Sequence, residues 1–187
     1  GTMMGGMGDV EISGFWRFHR QYLGVGKRFE STLILSGLYP TRSERGGVTM
    51  GPGVHAAAVT GYASRTIYAW GGAGFQRHFE TGGDRPGDLR YISAVFAWRP
   101  PVFQGDYPKP DWRIFIESLA EFAGRDQKRG QAVQSSGGQK VFAGPTVLGL
   151  YGAWGIGAGV LFAVYQNLND TQQKEGPRFT VNLSYWF

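Results

Sequence analysis

The residues best suited to chemistry in this chain are charged side chains that recur at strand-like spacing. Glu117 and Glu121 stand four apart, with Arg113 four residues earlier. Along a strand that spacing separates the two carboxylates by about 13 Å, too far for a hydrolytic pair. Arg113, on the same face, is placed to neutralise them. His19, His55 and His78 have neither an i, i+2 nor an H-x-x-x-H spacing, so no metal site is expected. Cysteine is absent, which excludes thiolate metal sites and cysteine nucleophiles. Gly-Ile-Gly-Ala-Gly at 155–159 mimics part of a dinucleotide fingerprint but lacks its preceding strand, following helix and downstream acid. Inside an alternating strand, such glycines allow tight curvature or a close neighbour. No Ser/His/Asp set can be assembled, and the expectation is no catalytic residue and no cofactor.

The elements that would position these charges read as β-strands. Phe179, Val181, Leu183, Tyr185 and Phe187 alternate with Arg178, Thr180, Asn182 and Ser184, the period-2 signature of a half-buried strand. In 9–22, Val10, Ile12, Gly14, Trp16 and Phe18 share one face, and Glu11, Ser13, Arg17 and His19 the other. In 28–39, Arg28 and Glu30 oppose Phe29, Leu33, Leu35 and Tyr39. In 112–122, Arg113, Glu117 and Glu121 oppose Trp112, Ile114, Ile116 and Phe122. Segments 52–62, 66–77, 89–99, 141–151 and 154–165 are similar in length, which makes nine candidate strands. Each is close to the roughly 9–11 residues that cross a tilted bilayer.

The connections sort by length. Long polar loops fall at 40–49, 78–88, 124–139 and 167–177, and short turns at 23–27, 62–66 and 152–153. The Pro-rich linker 99–111 takes the place of a fourth short turn. Outer-membrane barrels put long loops at one rim and short turns at the other. Aromatic residues gather near the strand ends: Tyr22, Tyr39, Trp70, Trp98, Trp112, Tyr151 and Trp154. Two girdles at the membrane–water interfaces would place them there. Glycine, at 31 of 187 residues, is about twice its usual share. No run of 18 apolar residues exists, so no transmembrane helix is expected. The formal net charge is +5, but the basic residues are scattered, which argues against nucleic acid as a partner.

These patterns predict an all-β fold: a transmembrane, antiparallel, up-and-down β-barrel forming one domain. Bacterial single-chain barrels have an even number of strands. Nine visible strands then call for one or three more ahead of Gly1. An open sheet in lipid would leave two edges of unpaired backbone, each group costing several kcal/mol.

Three stretches resemble the MetA-pathway of phenol degradation family of outer-membrane proteins. They are Gly-Asp-Val-Glu-Ile at 8–12 with Trp-Arg-Phe at 16–18, Ser-Gly-Gly-Gln-Lys-Val-Phe-Ala-Gly-Pro at 136–145, and Val-Tyr-Gln-Asn-Leu-Asn-Asp-Thr-Gln at 164–172. The resemblance implies a cell outer-membrane location and no catalytic residues. It also implies about three earlier strands and a barrel of about twelve, in line with the even-number rule. The end of the chain, Phe179, Val181, Leu183, Tyr185 and Phe187, looks like the signal read by the barrel-assembly machinery, with Asn182 near where a glycine often stands.

On this reading Glu11, Arg17, His19, Arg28, Glu30, Arg113, Glu117 and Glu121 line the lumen. There they would either tune which solutes pass or form ion pairs that fill the barrel. The expected function is a channel for passive passage of small solutes, hydrophobic or aromatic ones among them, with outer-membrane lipid around it. A structural barrel scaffolding an envelope protein assembly is the alternative. A barrel enzyme acting on lipids is a third reading. A soluble lipocalin-like barrel is the rival fold and would reverse every inside and outside assignment.

Overall fold

Alternation of apolar and polar residues builds nine long antiparallel strands. They are β1 (Val10–Gly24), β2 (Lys27–Tyr39), β3 (Gly53–Ala63), β4 (Ile67–His78), β5 (Leu89–Trp98), β6 (Asp111–Ala123), β7 (Gly138–Tyr151), β8 (Trp154–Leu168) and β9 (Arg178–Tyr185). The computed structural model describes residues 10–41, 44–105 and 109–186. The expected strands are all present, several of them longer than the sequence suggested. They form one sheet in which each strand pairs with the next, leaving β1 and β9 as its two edges. The only helix among the described residues is a 3-10 turn at Pro101–Phe103. None is long and apolar enough to cross a membrane.

The two ends of the sheet differ. Residues 25–26, 64–66 and 152–153 make short turns, and the described linker residues 99–105 and 109–110 lie at the same end. Gly26 holds φ +70 in the first turn, a conformation L side chains rarely adopt. At the opposite end, the described residues of the loops, 40–41, 44–52, 79–88, 124–137 and 169–177, bond to one another. Asp84 accepts hydrogen bonds from the Thr49 backbone N–H and hydroxyl and from the Arg129 backbone N–H. Arg85 and Gln127 bridge through their backbones. The side-chain amides of Asn169 and Gln172 donate to the carbonyls of Ser136 and Gly137.

Pairing fixes which face each side chain takes. One face carries Val10, Ile12, Leu33, Leu35, Ile92, Phe96, Ile116, Val147, Ile156, Phe162, Val181 and Leu183, all exposed. The other carries the charges. Glu11 on β1 bonds His55 on β3, which bonds Tyr91 on β5. Those strands are two spacings apart, about 10 Å on a flat sheet. Arg178 on β9 reaches Glu121 on β6 across three spacings. The sheet therefore curls with its polar face concave.

An ordinary hydrophobic core is missing among the described residues. The buried apolar side chains among the described residues are few, and three of the seven are alanines, Ala57, Ala63 and Ala97. Among the described residues Phe142 is the one large side chain that is fully buried, on the concave face beneath the Arg178 guanidinium, 3.8 Å from its ring centroid. Ahead of it along β7, Gly144 and Pro145 make no rung with β8. Pro145 has no N–H to give, and a Cβ on Gly144 would collide with the Val160 carbonyl oxygen.

A side chain at Gly144 must therefore push β7 and β8 apart. Gly144→Ala is expected to destabilise the fold by about 1–3 kcal/mol. At Gly71 the nearest atom to an added Cβ is 3.8 Å away, so Gly71→Ala is expected to be nearly neutral. Thermal unfolding of the two variants beside the parent checks the contrast, and equal losses would contradict it.

Candidate functional site

The concave face carries two polar clusters at the long-loop end and two at the short-turn end. Near the loops, the Glu11 carboxylate accepts a hydrogen bond from His55 Nδ1 at 3.0 Å. That places a proton on Nδ1, and in the neutral ring Tyr91 then donates its hydroxyl to Nε2, 2.8 Å away. Ser13 and Ser36 join at 3.0 Å, and Ser36 stands 3.4 Å from the same Nδ1. The serine and the carboxylate share one ring nitrogen. A serine nucleophile activated by His and acid needs them on opposite nitrogens, so this cluster is a hydrogen-bonded wall built from four strands, β1, β2, β3 and β5.

The second loop-end cluster centres on Arg178. Its guanidinium donates to both Glu121 oxygens at 2.6 and 2.9 Å, and its Nε donates to Glu175 at 2.6 Å. Lys140 donates to the other Glu175 oxygen at 2.8 Å. Burial raises the Glu175 pKa, but the bonds from Arg178 and Lys140 overcome it and hold the carboxyl at about 2. Across the loops, the backbone N–H groups of Thr49 and Arg129, with the Thr49 hydroxyl, keep the Asp84 carboxyl below the ordinary range. A polar cavity of about 540 Å³ lies under these loops, with Glu121, Lys140, Glu175 and Arg178 in its wall.

At the short-turn end, carboxylates are scarce. Glu30 is buried and faces Arg20 at 2.7 Å, Arg28 at 3.3 Å and Arg17 at 3.6 Å. Asp111 faces Arg99 at 2.7 Å and Arg113 at 3.3 Å. Arg113 also lies 5.2 Å over the Tyr68 ring.

Of the residues expected to line the interior, Glu11, Arg17, Arg28, Glu30, Arg113, Glu117 and Glu121 take the concave face. His19 does not. The β1–β2 register shifts between Arg17 and His19, which makes Phe18 an extra residue and turns His19 toward Phe29, ring centroids 6.0 Å apart. Arg20 takes the inner place instead and bonds Glu30. The anticipated partners also change. Arg113 pairs with Asp111 and not with the two glutamates, Arg178 neutralises Glu121, and Glu117 forms no ion pair among the described residues. Sequence reasoning missed His55, Tyr91, Lys140, Glu175 and Arg178. Strand pairing puts His55 and Tyr91 on this face, and contact across skipped strands leaves no trace in spacing.

Among the expected girdle residues, Tyr39, Trp98, Trp112 and Trp154 lie on the convex face near strand ends. Tyr151 joins them, and Trp154 meets the Tyr185 ring at 4.8 Å. Trp70 and Tyr22 are exceptions. Trp70 pairs with Gly61 and Val95 on the concave face, where the missing Cβ of Gly61 leaves its ring room. Tyr22 lies under the Arg20 guanidinium, on the polar side. Phe179, Val181, Leu183 and Tyr185 are exposed on the convex face, and Phe187 lies outside the described residues. No three His, Asp or Glu side chains among the described residues converge to hold a metal ion. No protein-family model, curated protein or solved structure matches this chain.

The depressed Glu175 pKa makes a signed prediction. A carboxylate whose folded pKa is lowered adds stability above its unfolded pKa, near 4.5, and loses it as pH falls toward the folded value of about 2. The difference in unfolding temperature between the parent and Glu175→Gln should be flat above about pH 5.5 and shrink between about pH 4.5 and 2. A difference that stays constant down to pH 2 would refute the ion-pair assignment.

Proposed function

We propose that this sheet is part of the wall of an outer-membrane β-barrel that lets small solutes cross passively. The observation that carries the reading is the inverted polarity. Valine, isoleucine, leucine and phenylalanine side chains are exposed over the convex face, while buried Glu30 and Asp111 and their arginines face inward. Soluble proteins rarely expose apolar patches beyond a few hundred Å², whereas a membrane barrel presents such a band to lipid. The Trp98, Trp112, Tyr151, Trp154 and Tyr185 belt and the sorted loop lengths fit the same setting. The free edges of β1 and β9 require further strands to close the ring in hydrocarbon. A ring of about twelve strands stands between side-chain-filled and open barrels. The resemblance of three stretches to the MetA-pathway of phenol degradation family is in keeping with an outer-membrane location.

A scaffold for an envelope assembly is the second reading, favoured by one feature. An apolar groove of about 720 Å³ runs along the convex face, where Ala56, Ala58 and Ala73 lie between Leu33, Leu35 and Ile92. A partner packed there would cover it.

The full-length protein, refolded in detergent and reconstituted in planar bilayers, is expected to run as a heat-modifiable band and to conduct ions. A folded but silent barrel would sink the channel reading, and a partner retained through mild extraction would favour the scaffold. Ile116→Arg, on the convex face, should cost about 2–4 kcal/mol of folding stability in lipid. Ser93→Arg, on the concave face, should cost much less. Equal costs would contradict the lipid-facing assignment.

A further inference from the structure

Glu30 and Asp111 divide five guanidiniums between them, and the division is uneven. Arg20 and Arg99 take the short contacts, both 2.7 Å. Arg28 and Arg113 are left with contacts of 3.3 Å. Arg113 Nε is buried and makes no hydrogen bond. Lys27 makes no ion pair or hydrogen bond among the described residues. These three incompletely neutralised cations line one cavity of about 320 Å³ at the short-turn end. Tyr22, Gly26, Ala63, Ser64 and Tyr68 complete its wall, and no carboxylate does. At about 30 Å³ per water, the volume holds roughly ten, room for a small solute and part of its hydration shell.

A cavity bounded by Lys27, Arg28 and Arg113, with two phenols, offers donors and positive charge without a carboxylate in its wall; the Ser64 hydroxyl is spent on the Ile67 carbonyl. Guanidinium forks and an ammonium suit oxyanions. We propose that this cavity binds a small oxyanion, a carboxylate or phosphate, and that the short-turn end thereby favours anionic solutes. The placement at a pore mouth rests on the barrel reading; the binding chemistry does not.

Two measurements separate those dependences. The first is calorimetric titration of inorganic phosphate, and separately of acetate, into the detergent-folded full chain. The second is the reversal potential of the reconstituted channel across a KCl gradient. Phosphate or acetate binding together with chloride preference is expected. Lys27→Gln with Arg113→Gln should weaken that binding at least about tenfold and move the reversal potential toward potassium. Arg125→Gln, in the loop at the other end, should change neither, and heat-modifiable mobility reports whether each variant folds. A conducting channel with no anion preference and no heat from either probe overturns this inference and leaves the channel standing. A silent barrel that still binds phosphate, and loses it in the double variant, overturns the channel and upholds the site. Binding that survives the double variant in a folded protein overturns the site. Response to phosphate alone or acetate alone identifies which oxyanion the cavity takes.

Discussion

A hydrogen-bonded β-ladder leaves each residue no choice of face. Where strands pair, backbone N–H and C=O groups are committed to a neighbour, so side chains alternate from one surface to the other except at bulges such as Phe18. In this molecule the commitment runs through eight consecutive antiparallel pairings, from β1 to β9. A hydrophobic residue cannot retreat to the concave side without moving its whole strand by one position. The apolar convex surface and the charged concave surface are thus two sides of one constraint. The curl of the sheet follows from it as well, because inward side chains such as Glu11, His55 and Tyr91 join across skipped strands.

That constraint also explains how much of the molecule the sequence revealed. Alternation located all nine strands, because period-2 patterning is local and each strand here has one apolar face. Loop lengths were legible for the same reason. The bulge at Phe18 was not, since inserting one residue changes nothing in composition yet reverses the parity of His19 and Arg20. Trp70 was misplaced because aromatic residues near a strand end suit either face. Gly61, one strand away in the pairing, is what makes room for that ring inside. Ion pairing was the least legible. Arg178 and Glu121 are 57 residues apart and meet only because three strand spacings curl between them.

The charges on the concave face are organised by scarcity of carboxylates at one end and by sharing at the other. At the long-loop end, Arg178 is held between Glu121 and Glu175, with Lys140 completing the set. Buried and half-buried charges survive when their hydrogen bonds are satisfied, and this cluster meets the condition. At the short-turn end, Glu30 and Asp111 each serve more than one arginine. Attraction there is divided, and each extra guanidinium keeps part of its charge exposed to whatever approaches.

Because every long strand pairs with its successor in the chain, this sheet has an unusually local contact map for a β protein. Loop-closure entropy grows with the length of chain between partners, and here most of those segments are a single turn or loop. Large β-sheets fold slowly when they must find distant partners. This one can grow hairpin by hairpin, each new strand docking on the edge left by the last. A chain emerging in order from a membrane-insertion machine would meet its pairing partners in that same order.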